Sequence, residues 1–161
     1  MKRVLGVLIL FIVCNAINAQ HFIVKDKYQQ DALKEIFKEA NKGNPESMYL
    51  TAKYYLVGEM VEKDEKKGWA YLIKACEKGY ARAWEERADL TESIDEAVVY
   101  YKKSVELFNP KDKYKVNIEE VLDVLYDTSL YYKEKNEKYY QQLSEELLLF
   151  CVNHGHKKAK K

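Results

Sequence analysis

The side chains best suited to metal or nucleophile chemistry are three histidines, His21, His154 and His156, and three cysteines, Cys14, Cys76 and Cys151. A metal needs a closed set of ligands at fixed geometry. Two imidazoles in His154-Gly155-His156, followed by a lysine-rich end, do not supply one, so no metal site is expected. Neither Cys76 nor Cys151 sits in the local context of a catalytic nucleophile, and no Ser-His-Asp or Cys-His arrangement can be traced. A glycine-rich phosphate loop is also missing from the sequence. The expectation is therefore a protein with no catalytic residues and no cofactor. The many Glu and Lys residues read as solvated helix faces carrying i,i+4 pairs such as Glu62–Lys66.

Tyrosine is the richer signal. Fourteen occur, several as adjacent pairs: Tyr54-Tyr55, Tyr100-Tyr101, Tyr131-Tyr132 and Tyr139-Tyr140. Neighbours on a helix point about 100° apart, so one ring of a pair can enter a core while the other stays at its edge. Such edge rings either fill the core or form an aromatic binding strip.

The elements that must position these residues are helices. Two Pro and six Gly in 161 residues leave room for long helices and argue against a turn-rich β fold. The length suits one domain with its own core. Lys and Arg number 27 against 26 Asp and Glu, a net charge of +1. Such a balance lacks the electrostatic footprint of a nucleic-acid binder. Within the basic tail 154–161, Lys157-Lys158-Ala159-Lys160-Lys161 is read as a frayed, solvated terminus.

Residues 1–19 have the form of a signal peptide: Met-Lys-Arg, an apolar run from Val4 to Cys14, and Ala19 at the cleavage point. The run falls short of the roughly 20 residues that span a bilayer. That argues against an uncleaved anchor, and Val13 stands where lipoprotein processing before Cys14 would need a small residue. The expected product is exported, periplasmic or secreted, with no membrane insertion after cleavage. Its two remaining cysteines, Cys76 and Cys151, are read as small buried apolar residues rather than a disulfide framework.

A repeat punctuates the rest. Gly43-Asn44-Pro45-Glu46-Ser47 and Gly79-Tyr80-Ala81-Arg82-Ala83 share a Gly, three variable residues and a small residue, 36 positions apart. Gly155-His156-Lys157-Lys158-Ala159 repeats the pattern 76 positions on, with a break at Asn109-Pro110 between. The apolar spacing predicts helices over about 26–42, 45–57, 64–78, 80–91, 94–108, 114–133 and 136–153. Gly43 and Gly79 suit left-handed helix ends, Pro45 suits a first turn, and Asp64 suits an N-cap.

Within that frame one run is specific: Tyr55-x-x-Gly58-x-x-Val61-x-x-Asp64-x-x-Lys67-Gly68-x-x-Tyr71-x-x-Lys74-Ala75-Cys76-x-x-Gly79-x-x-x-Ala83. It resembles a Sel-one-like repeat (SLR), a relative of the tetratricopeptide repeat. Met60 stands in place of the second loop glycine, Gly68 in place of alanine, Tyr71 in place of tryptophan and Cys76 in place of the final alanine. Partial matches flank it, from Ala32 to Gly43 and from Ala97 to Val105. The best unit is 44–79, inside a helical domain spanning 20–153 whose last pair resembles a divergent cap.

The resemblance implies an all-α, right-handed superhelical solenoid of antiparallel helix pairs, about seven helices in all. It also implies that variable first-helix positions line the concave surface. Trp84 matches Met48 at the 36-residue offset, Tyr49 matches Glu85, and Lys53 matches Asp89. The candidate partner-binding residues are accordingly Tyr49, Lys53, Trp84 and Asp89, and the partner is expected to be a protein. The implied role is an exported protein–protein interaction module. Its alternatives are an envelope immunity-type protein that neutralises a toxic effector, or a cell-wall-related hydrolase. The hydrolase reading is set back by the absence of the paired cysteines that relatives associated with β-lactam binding carry in each repeat.

Overall fold

The computed structural model describes residues 27–160; the leader expected over 1–19 lies outside the described residues. Seven α-helices follow one another, and no strand occurs among the described residues. They are α1 (27–41), α2 (Pro45–Val57), α3 (Glu65–Glu77), α4 (Ala81–Asp89), α5 (Ile94–Glu106), α6 (Ile118–Lys133) and α7 (Lys138–Asn153), with a final 3₁₀ turn at Lys158–Lys160.

Local chemistry sets these boundaries. Asn44, Asp64, Ser93 and Asn117 each accept a hydrogen bond from the backbone N–H three residues on, satisfying a donor that the first helical turn leaves open. Three helices end in one geometry. At Gly43, Gly79 and Gly155, φ is +98°, +78° and +90°. The next amide along (Asn44, Tyr80, His156) bonds back to the carbonyl of Glu39, Ala75 and Cys151 respectively. This is the Schellman closure, which needs the left-handed region that glycine enters without penalty. The repeated glycines thus mark a repeated backbone turn.

The helices pack as hairpins, α2 on α3, α4 on α5 and α6 on α7, with thinner seams between hairpins. Two cores result. The first gathers Ala40, Met48, Ala52, Leu72, Ala75, Cys76 and Ala83. The second gathers Ala81, Val105, Val116, Val121, Leu122, Leu125, Leu147 and Cys151. They meet at α4, which places Ala83 in one and Ala81 in the other. Gly68 sets the closest crossing: a Cβ there would lie 2.6 Å from Leu56 Cγ and 3.1 Å from Leu56 N.

Three expectations need correction. The helix after Pro110 starts at Ile118, not near Tyr114: residues 107–117 form an irregular connection of turns and bends that buries Val116, and Asn117 caps α6. Glu62 lies ahead of α3 and does not pair with Lys66. The ion pairs there are Lys63–Glu65 at 2.7 Å and Lys67–Asp64 at 3.0 Å. Finally, the basic tail is docked rather than frayed. His156 is buried beside Tyr126, Lys158 pairs with Asp123, and Ala159 packs on the second core. The closure at Gly155 turns the chain back onto α6, giving these residues apolar and acidic partners.

Candidate binding groove

On the outward side of α2, Tyr49, Leu50, Lys53, Tyr54 and Val57 line an open groove of about 510 Å³. Residues spaced by three and four share a helix face, which is why this set appears together. The other walls are Arg82 of α4, Glu59 of the α2–α3 loop, and Tyr114 with Lys115 of the α5–α6 connection. That connection is held in place by Tyr80, whose hydroxyl donates to the Tyr114 carbonyl at 3.4 Å. The Tyr114 ring also lies 6.3 Å from that of Tyr49.

At the α2–α4 wall five side chains form one connected polar set. The Tyr49 hydroxyl donates to Glu86 Oε2 at 3.2 Å and accepts from Arg82 Nε at 3.4 Å. Lys53 Nζ reaches the same Glu86 oxygen at 3.4 Å. Arg82 Nη1 bonds Glu85 Oε1 at 2.5 Å. Burial pushes the Tyr49 phenol above its ordinary range, so it acts as a neutral donor. Burial also raises the Glu85 carboxyl despite Arg82, and its Oε2 has no hydrogen-bond partner.

The structure brings two of the four predicted residues together and sends the other two elsewhere. Tyr49 and Lys53 meet in the groove. Trp84 is two residues from Arg82, hence about 200° away around α4, and turns inward. Its indole N–H donates to the Cys76 carbonyl at 3.1 Å, and its ring packs 5.7 Å from Tyr100. Asp89 accepts from the Tyr101 hydroxyl at 2.6 Å, joining α4 to α5. Sequence reasoning did not single out Tyr54, Arg82, Tyr114 and Lys115. Tyr54 carried a signal as a member of a tyrosine pair. Tyr114 and Lys115 carried none, since their segment has a helical apolar period.

The remaining tyrosine pairs divide as expected at the α6–α7 end, where Tyr132 is buried and Tyr131 exposed. Tyr55 instead joins a stack, 5.6 Å from Phe37 and 6.3 Å from Tyr71. Cys76 and Cys151 are both free and buried, each thiol pushed up to about 11 by burial. His154 and His156 serve different partners, the Phe150 carbonyl and Asp123. Among the described residues no cluster of His, Cys, Asp and Glu is arranged to hold a metal, and no helix is long and apolar enough to cross a membrane.

Comparison with known proteins resolves the repeat that the helix hairpins and glycine closures outline. Residues 45–80 and 84–107 match the Sel1 repeat, which corresponds to α2–α3 and most of α4–α5. Those two stretches, less than half of the chain, are similar to Sel1 repeats. Among solved structures, it is similar to a Sel1 repeat protein from Oxalobacter formigenes, with a TM-score of 0.52 and 17% identity. That alignment covers 80% of this chain and 94% of the other. A second similar structure is c5321, a protective antigen of uropathogenic Escherichia coli with an SLR fold, at TM-score 0.48 and 16% identity. There the alignment covers 78% of this chain and 26% of c5321. No curated protein sequence matches. The fold is thus an all-α repeat solenoid, and Sel1-repeat proteins are generally interaction modules. The second unit, read from sequence only over Ala97–Val105, is matched from residue 84 onward.

Proposed function

We propose that this chain is an exported protein–protein interaction module that holds a segment of a partner protein in the α2–α4 groove, with no catalytic step. The observation that carries the reading is the groove itself, where aromatic rings and cationic side chains from three segments converge on an open channel. Tyrosine and arginine are the side chains that most often dominate binding energy at protein interfaces. Sel1 repeats generally supply interaction surfaces, in keeping with this use. Export rests on the leader-like pattern of residues 1–19, and we take Ala19–Gln20 as the cleavage site.

Photo-crosslinking tests the groove. A photoreactive aryl side chain in place of Tyr54 is expected to trap a discrete partner in cells, and the same probe in place of the exposed Leu149 is not. Equal trapping at both positions, or none at Tyr54, would remove the groove from the proposal. Export is checked separately by the mature N-terminus, expected at Gln20. A chain beginning at Met1 would overturn leader cleavage, and one beginning at Cys14 would move the cleavage site to lipoprotein processing.

A further inference from the structure

The walls of this groove are chemically unequal. Its cations point outward and its acids sit behind them. The Lys53 side chain is 41% exposed, while its partner Glu86 is 16% exposed. The Arg82 side chain is 27% exposed, while Glu85 behind it is 8% exposed. Glu85 and Glu86 therefore fix the cations from the protein side and leave N–H donors facing the channel. An arginine has five donors, and Arg82 spends Nε on Tyr49 and Nη1 on Glu85. Lys115, across the groove, forms no ion pair among the described residues. Among those residues the one acid lining the channel is Glu59, in the loop after α2, beyond Val57. Between the charges, Leu50, Tyr54 and Val57 give an apolar floor, with Val57 64% exposed.

From this arrangement we infer that the groove takes an acidic, extended stretch of the partner, a specificity that rests on the groove being the binding site. Tyr49 to Val57 is nine residues of helix, eight rises or about 12 Å. That length matches about four residues of extended chain. One ligand carboxylate meets Lys53 and Arg82, a second meets Lys115, and an apolar side chain lies on Tyr54 and Val57. Cations held in place by Glu85 and Glu86 lose little freedom when the ligand arrives, so their bonds contribute more to affinity. The same polarity disfavours basic segments, because three cations line the channel and the acids behind them are covered.

The test presents the purified protein to an array of immobilised random eight-residue peptides, with a single-stranded oligonucleotide as a parallel surface. Captured peptides are expected to be enriched in Asp and Glu beside Leu or aromatic residues. Their binding should fall about tenfold between about 0.05 M and about 0.3 M salt, as exposed charge pairs are screened. Lys115→Glu, at an exposed position outside any ion pair described, should weaken capture of acidic peptides about tenfold. Lys53→Glu combined with Lys115→Glu should turn the preference toward basic peptides while helicity stays unchanged. If neutral or basic peptides are enriched and Tyr54→Ala abolishes their capture, the acidic specificity fails and the groove reading stands. Capture that ignores both Tyr54→Ala and the lysine changes defeats both. Absence of peptide capture, or tighter binding of the oligonucleotide, overturns the acidic-segment inference, and crosslinking at Tyr54 then decides the groove alone.

Discussion

Met60 has φ of +63°, the non-glycine residue in the left-handed region among those described. In the repeat pattern this is a position where glycine is usual. A side chain there crowds the next carbonyl, at a cost of roughly 1–2 kcal/mol, part of which glycine returns as unfolded-state entropy. Met60→Gly should therefore stabilise the protein by about 0.5–1 kcal/mol, seen as a higher urea midpoint at unchanged slope. A lower midpoint would show that the partly exposed methionine packs better than its backbone suggests. Gly68 gives the opposite case. Adding one methyl group drives it into Leu56, where part of the obstruction is backbone. Gly68→Ala should cost about 1–3 kcal/mol in the same experiment. Both departures from the repeat pattern were legible in the sequence, but their signs were not. The sign depends on φ at one position and on the distance to a neighbouring helix at the other.

At the scale of the element, helices α2 to α5 could be placed to within a few residues, because caps, glycines and apolar spacing agree there. Helix α6 and the tail were less legible. The 107–117 connection is irregular, with Tyr114 held by the Tyr80 hydroxyl and set against the Tyr49 ring, long-range contacts that its own sequence does not announce. Trp84 shows the same limit: a large aromatic at a variable position looks like a binding residue until the rotation of α4 is known. Since it packs between Cys76 and Tyr100, Trp84→Ala should lower stability by about 2–3 kcal/mol. Any loss of partner capture in that variant should disappear once the folded fraction is taken into account. Helix α4 also carries a pH signature. Glu85 has a carboxyl raised by burial, so the folded state holds its proton more tightly than the unfolded state. Its contribution is fully present below the ordinary carboxylate range and is lost as pH rises through the elevated folded value. The melting temperature of wild type minus that of Glu85→Gln should therefore fall as pH rises from the ordinary carboxylate range toward neutrality. A constant or rising difference would contradict the burial argument.

Among the described residues the two cores meet at α4, at thin inter-hairpin seams and through the 107–117 connection, where Val116 enters the second core and Tyr114 packs on Tyr49 of the first. Repeat proteins of this kind derive stability from each unit plus its nearest-neighbour interfaces, so their parts open with different free energies. Two buried thiols sit on opposite sides of that seam, Cys76 in the first core and Cys151 in the second. Each is pushed up to about 11, so neither reacts at neutral pH until its own region opens. Leu125 is fully buried in the second core, and Leu125→Ala should cost about 3 kcal/mol there. When opening is fast relative to labelling, that cost raises the alkylation rate of Cys151 about a hundredfold. The rate at Cys76 should change less than about threefold, because its core keeps all of its contacts. Mass spectrometry of the two alkylated cysteine peptides measures both rates in one sample. Equal acceleration would mean that α4 couples the hairpins into a single cooperative unit. The groove, built from α2, α4 and the 107–117 connection, would then respond to damage anywhere in the chain. Unequal acceleration would leave Tyr49, Leu50, Lys53 and Tyr54 on an intact first core while α6 and α7 open, with only the wall formed by Tyr114 and Lys115 at risk.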